Sequence, residues 1–180
     1  YTEERQPVFQ STSKQFIEYL IEDDKRFLNQ WDGNEQDLEF EDAWNSRTTN
    51  NLTVTQYEPN YRGSRSIIDT TPADTTPSAT GEHSAIARPG HHLSPPPDYP
   101  NFQGALGHDF VLIHSEQTNL QGLQNRINEN MVPLKLLIID EDALSRWEAD
   151  WILVRPDHFV AAKGSGNDFP PDLLSRVICA

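Results

Sequence analysis

From Phe110 to Ala162 the chain reads FVLIHSEQTNLQGLQNRINENMVPLKLLIIDEDALSRWEADWILVRPDHFVAA, and its fold class follows from this stretch. Phe110 to Ile113 is a short apolar run, which predicts a buried strand. Leu120, Leu123, Ile127 and Met131 recur at helical spacing and predict one face of a helix. Leu134 to Ile139, interrupted by Lys135, predicts a second buried strand. Asp140 is placed to cap a helix running through Ala143 and Leu144 to Trp147. Trp151 to Arg155 and Phe159 to Ala162 then form two strands joined at Pro156-Asp157-His158 as a hairpin, and Pro170-Pro171 opens a last helix carrying Leu173, Leu174, Val177 and Ile178.

The predicted order is βαβαββα in an α/β fold, with Phe110 to Ile113 parallel to Leu134 to Ile139 because a helix crosses between them. That is the order of a thioredoxin-like core. Dithiol chemistry there needs a Cys-x-x-Cys at the first helix, and the chain has His114-Ser115-Glu116-Gln117 instead. The one cysteine is Cys179, beside the C-terminal Ala180, so paired-thiol redox chemistry, a disulfide framework and a cysteine metal site are all excluded within these 180 residues.

Upstream, residues 11 to 31 place Phe16, Ile17, Leu20, Ile21, Phe27, Leu28 and Trp31 at helical spacing among acidic and basic residues, which predicts an amphipathic helix stopped by Asp32-Gly33-Asn34. Pro7 fits near its start, or ends or kinks an earlier helix that includes Glu3, Glu4 and Arg5. Glu35 to Trp44 suits a short solvated helix or turn, and Leu52 to Tyr57 a short strand or extended arm. Asn51-Leu52-Thr53 has the form of a glycosylation sequon, idle without a secretory signal.

Between Thr70 and Pro100 two Asp-Thr-Thr-Pro units, Pro89-Gly90 and Pro95-Pro96-Pro97 predict a long surface loop, mobile over Thr70 to Ser84. A loop of that length marks a boundary between packed units. The expected organisation is a helical segment over residues 1–50, an extended arm with a Pro/Thr-rich loop over 51–103, and the thioredoxin-like domain over 104–180.

Asp and Glu number 28 against 14 Lys and Arg, and the net charge of -14 disfavours nucleic acid and anionic membranes as partners. No apolar run spans a bilayer and Tyr1 to Gln10 lacks the parts of a signal peptide, so the expected setting is cytoplasmic. The chain opens at Tyr1, whereas its only methionine is Met131, and it reads as a segment of a longer polypeptide.

Three motifs carry a resemblance. Tyr1, Glu4, Arg5, Pro7 and Val8 match the Y-x-x-E-R-x-P-V segment of FAD-dependent aromatic hydroxylases of the phenol 2-monooxygenase type. Pro89-Gly90 and then Leu106-Gly107-x-Asp109-Phe110 resemble that family's P-G-x-R-x-P-H stretch and the A-L-G-x-D-F-x-L opening its thioredoxin-like C-terminal domain. Leu153-Val154-Arg155-Pro156-Asp157 with Val160-Ala161 is similar to its L-V-R-P-D-G-x-V-A-W hairpin. The departures are His158 for the hairpin glycine, Ala162 for the tryptophan and His91-His92-Leu93 for R-x-P-H; His tolerates a left-handed backbone, so the hairpin is expected to persist.

The resemblance implies the C-terminal portion of an enzyme that hydroxylates a phenolic or related aromatic substrate with NAD(P)H and O2. It further implies that FAD and NAD(P)H are bound by an N-terminal part outside this chain, which would be the partner of this segment, with a homodimer contact as a second role. The motif residues are then structural, and no catalytic, cofactor-binding or metal residue is assigned. The alternative is a redox-inactive thioredoxin-like interaction module that acts without flavin.

The residues themselves offer four other sites, each with a plainer reading. Gly164-Ser165-Gly166 lacks the third glycine of a dinucleotide cradle and reads as a flexible loop. His91 and His92 read as loop packing rather than metal ligands. Asp140-Glu141-Asp142 reads as helix capping rather than catalysis. Trp31, Trp44, Trp147 and Trp151 read as core or interface packing rather than a binding surface.

Overall fold

The computed structural model describes residues 2–33, 38–49, 56–69, 76–130 and 133–178. The readings that rest on Tyr1, Asn34 to Asp37, Asn51 to Thr55, Thr70 to Thr75, Met131 and Cys179 lie outside them.

The sheet follows the predicted order. β3 (Phe110–His114) pairs in parallel with β4 (Leu134–Ile138) through α5 (Gln121–Asn130), and antiparallel with β5 (Trp151–Val154), which pairs antiparallel with β6 (Val160–Gly164). The strand order is β4-β3-β5-β6. Alternate side chains build two cores. Val111, Ile113, Ile152, Val154 and Val160 pack with α4 (Phe102–Leu106), α6 (Glu141–Arg146) and Trp147 on one face. Leu112, Trp151 and Leu153 pack with Leu123 of α5, Phe169 and α7 (Leu173–Ile178) on the other.

β4 corrects one expectation. It is an edge strand of the sheet and not a buried one, with Leu136 and Ile138 exposed. α6 begins as expected, with the Asp140 carboxylate accepting the Ala143 amide at 2.8 Å. Asp140→Ala should lower stability by about 1 kcal/mol in a denaturant titration, the usual cost of a lost N-cap.

The N-terminal region is one helical rod rather than a helix from residue 11. α1 (Thr2–Ser11) runs through Pro7, continues as a π-helical stretch over Thr12–Glu18, and passes into α2 (Tyr19–Gln30). Pro7 therefore neither starts nor ends a helix; its ring sits inside α1, at the cost of one backbone hydrogen bond. Of the predicted apolar face only Phe16 is buried, against Tyr57 at 5.1 Å, while Ile17, Ile21 and Leu28 are exposed. α3 (Leu38–Thr49) folds back on α2 through the rings of Phe27, Trp31, Phe40 and Trp44. Arg47 lies over Phe27 and Trp44 and pairs with Asp23 at 2.8 Å and with Asp24.

Residues 76–100 run mostly without regular secondary structure, as expected of a loop, but parts of them are packed rather than on the surface. β2 (Ser78–Thr80) pairs antiparallel with β1 (Tyr57–Asn60), Ala79 is fully buried, and Ala87, Gly90, His91 and Leu93 are buried against the sheet domain. Two of its amides are held from outside it: Ala79 N–H donates to Ser11 Oγ at 3.0 Å and Leu93 N–H to the His158 carbonyl at 3.0 Å.

Candidate functional site

The β5–β6 hairpin is where the motif residues meet. Arg155 N–H donates to the Phe159 carbonyl and His158 N–H to the Arg155 carbonyl, both at 2.9 Å, and His158 holds φ at +65°. The left-handed position expected for the family glycine is thus occupied by His158. This tight turn aims the Arg155 side chain across the sheet end toward α1.

All five guanidinium N–H groups of Arg155 are used. Nε donates to Asp157 Oδ1 at 3.1 Å, Nη2 to Asp157 Oδ2 at 3.0 Å and Glu4 Oε2 at 2.9 Å, and Nη1 to Glu4 Oε1 at 2.5 Å and Ser66 Oγ at 2.7 Å. The Ser64 and Ser66 hydroxyls donate to Glu4 Oε1 at 2.6 and 2.5 Å. The Tyr61 ring lies 5.3 Å from the guanidinium carbon. Glu4 and Arg155 keep only 10% and 14% of their side-chain surface, so water screens the pair weakly.

Burial alone would raise the Glu4 pKa. The hydrogen bonds from Arg155, Ser64 and Ser66, with the charge of Arg155, outweigh it and lower the carboxyl from 4.5 to about 2. A depressed carboxylate contributes stability that is complete above its unfolded value and lost as pH falls through the folded one. Melting temperature should therefore decline between about pH 4.5 and about pH 2, and Glu4→Gln should remove that part of the decline.

The second motif docks on the same hairpin from its other side. Gly90 N–H donates to the Val160 carbonyl at 2.8 Å, its own carbonyl accepts the Tyr61 amide at 2.7 Å, and Val160 N–H donates to the His91 carbonyl at 2.9 Å. Gly90 has φ +83°, and a Cβ there would stand 2.7 Å from the Arg62 nitrogen, so both conformation and space demand glycine. The Gly107 carbonyl lies 2.9 Å from His158 Nε2, and Leu106 is buried in the core beneath it. Glu4, Gly90, Leu106, Gly107, Arg155 and Asp157 thus form one construction. Arg5, Asp109 and Pro156 are exposed, Pro7 is half-buried inside α1, Pro89 lines a neighbouring cavity, and Phe110 is half-buried at the start of β3.

Ser64, Ser66 and Tyr61 are partners that no pattern in the sequence marks. A cleft of about 450 Å³ opens beside the clamp, walled by Ser64, Arg155, Asp157, Phe110 and Val177. The polar atoms of Glu4 and Arg155 that border it are already bound to one another, so the arrangement acts as a lock between α1 and the hairpin.

The other sequence candidates resolve into packing. His114 sits at the end of β3 with Nδ1 2.7 Å from the Ser115 carbonyl. Trp147 and Trp151 are buried in the two cores. Gly164 is the last residue of β6, its backbone against the Trp151 ring, and not part of a loop. Gly166 N–H already donates to Asp150 Oδ2 at 2.6 Å, so a carboxylate occupies the position a phosphate would need, and this turn does not fit the pyrophosphate of FAD. Among the described residues no three His, Cys, Asp or Glu side chains are placed to hold a metal ion, and no helix is long and apolar enough to cross a membrane.

The fold has solved counterparts. The rebeccamycin biosynthetic enzyme RebC with reduced flavin is 26% identical, with a TM-score of 0.51 over 66% of this chain and 22% of its own. Its substrate-free form is 22% identical, with a TM-score of 0.54 over 77% of this chain and 26% of its own. Aklavinone-11 hydroxylase, in a ternary complex with FAD and aklavinone, is 18% identical with a TM-score of 0.51, covering 68% and 26%. The chain spans about a quarter of the length of each. No protein-family model matches it, and no curated protein sequence does. Its architecture is accordingly similar to one part of flavin-dependent hydroxylase-type enzymes.

Proposed function

We propose that this chain serves as the C-terminal part of a cytoplasmic FAD-dependent monooxygenase that hydroxylates a phenolic or related aromatic substrate with NAD(P)H and O2. The observation that carries this reading is the convergence of the three quoted motifs on one hairpin, in a fold shared with flavin-bearing enzymes. The flavin supplies the oxygen-activating chemistry in such an enzyme. The Gly164–Gly166 turn does not fit its pyrophosphate, and this reading assigns the residues described here no step of that chemistry.

Their work is mechanical. Arg155 and Glu4 lock α1 to the sheet domain, and Gly90 lets the 86–93 segment seal the hairpin. The exposed apolar side chains Phe9, Ile17, Ile21 and Leu28 along the N-terminal rod are the surface that the flavin-binding part would cover. The complete polypeptide should consume NAD(P)H and O2 when a phenol is supplied and release a hydroxylated product. The 180-residue chain alone should consume neither. NAD(P)H oxidation by the isolated chain, or none by the complete polypeptide with any phenol or related aromatic tried, would overturn the assignment.

A further inference from the structure

β4 leaves one side of its backbone open. It pairs with β3 from Phe110–Leu134 to His114–Ile138 and ends the sheet. In a parallel ladder alternate residues turn their N–H and C=O groups toward the neighbouring strand. The Ile139 amide donates to the His114 carbonyl at 3.0 Å, so Lys135 and Leu137 also face β3, and Leu134, Leu136 and Ile138 turn their backbone groups outward. The side chains of these three stand on the α5 face of the sheet. Leu134 is half-buried against the core there, while Leu136 and Ile138 are 38% and 54% exposed.

Edges of this kind are commonly guarded by a bulge, a proline or a charge on the open strand. β4 keeps an unbroken register and contains no proline. Its one charged residue, Lys135, is tied back onto its own domain, with Nζ donating to the Ala105 carbonyl of α4 at 2.5 Å.

Charge decides what can meet this edge. Two copies of a chain with net charge -14 repel each other over most of their surfaces. β4 and α5 differ: their charged residues are Lys135, Arg126 and Glu129, and α5 otherwise exposes Gln121, Gln124, Asn125 and Asn128. The strand is also complementary to itself. Reversed about Leu136, it sets Leu136 opposite Leu136 and Leu134 opposite Ile138, so each outward-facing residue meets another, as antiparallel pairing requires.

We propose that β4 pairs antiparallel with β4 of a second copy of this chain about a two-fold axis at Leu136, joining two four-stranded sheets into one. About six backbone hydrogen bonds then close the two open edges, and Leu136 and Ile138 are covered. The acidic run from Asp140 to Asp142 lies past the strand end, and the two copies of Asp140 would stand about 26 Å apart, beyond the screening length. One strand pair is a small interface, so the expected dimer is weak, with a Kd of about 10–100 µM. The inference does not rest on the flavin assignment. β4 is the edge opposite β6, whereas the hairpin that receives α1 joins β5 to β6.

Sedimentation of the 180-residue chain between about 1 and 300 µM should show a monomer–dimer equilibrium, and the complete polypeptide should show it as well. Leu136→Lys places two ammonium groups opposite each other at the axis and should weaken the dimer at least about tenfold, with the melting temperature of the dilute monomer unchanged. Phe9→Lys, on the exposed face of the N-terminal rod, should leave association as it was. In a Cys179→Ser background, Leu136→Cys should oxidise to a disulfide-linked dimer, since directly opposed Cα atoms lie about 5.5 Å apart. Lys135→Cys should not, because its two copies would be about 8 Å apart. A chain monomeric throughout the range, a dimer undiminished by Leu136→Lys or abolished by Phe9→Lys, equal cross-linking at positions 135 and 136, or a monomeric complete polypeptide would each overturn the proposal.

Discussion

Arg155→Met should lower stability by about 3 kcal/mol at neutral pH, or roughly 6–12 °C in melting temperature. Methionine fills much of the same volume, so the loss comes from Glu4, which stays buried and charged with only the two serine hydroxyls to satisfy it. Arg155→Lys should recover only part of this. An ammonium has three donors on a flexible stem and does not reproduce a fork that reaches Glu4, Asp157 and Ser66 together. The double variant Glu4→Leu with Arg155→Met should cost less than the sum of its single changes, because no uncompensated charge remains. A melting temperature for Arg155→Met within about 2 °C of the parent would show that the lock does not hold the N-terminal rod.

Gly90→Ala should destabilise by about 2–4 kcal/mol. Roughly 1–2 kcal/mol is the penalty for an L-residue in the left-handed region, and the rest is the displacement of the Tyr61-Arg62 backbone by a Cβ 2.7 Å from the Arg62 nitrogen. Backbone atoms at 2.7 and 3.0 Å cannot swing aside as a side chain does. The shift would also lengthen the Gly90 hydrogen bonds to Val160 and Tyr61 that hold the segment on β6. Gly122→Ala is the matched control: its added methyl meets nothing within 4 Å in α5 and should stabilise by about 0.5–1 kcal/mol. Paired thermal melts of the two variants, moving in opposite directions, separate a conformational demand from a general intolerance of alanine.

Local signals were enough for the sheet. The runs at 110–113, 134–139 and 151–154 each declare a strand, a helical period separates the first two, and Pro156-Asp157-His158 turns the hairpin. Edge position is different, because strand order depends on which strand leaves an outer side open. Leu134 to Ile139 therefore looks as buried as Phe110 to Ile113 until the order is known. β2 was hidden for a similar reason: Ser78-Ala79-Thr80 has no large apolar residue, and its burial comes from α1, the stretch after it and β1, far away in the chain. The lock was half legible. Glu4 and Arg155 stand out through the resemblance, yet nothing in a linear reading joins residues 151 positions apart, and Ser64 and Ser66 carry no mark of a role. The π-helical stretch over Thr12–Glu18 had no signal in the hydrophobic pattern at all.

The proposed function puts the flavin chemistry outside these residues and leaves them an architectural role. The most direct measurement is the flavin content of the complete polypeptide and of the 180-residue chain, each titrated with FAD and followed by flavin fluorescence quenching. One FAD per complete polypeptide and no saturable binding to the isolated chain is the predicted result. A complete polypeptide that neither carries nor accepts flavin, or an isolated chain that binds it saturably, would contradict the account.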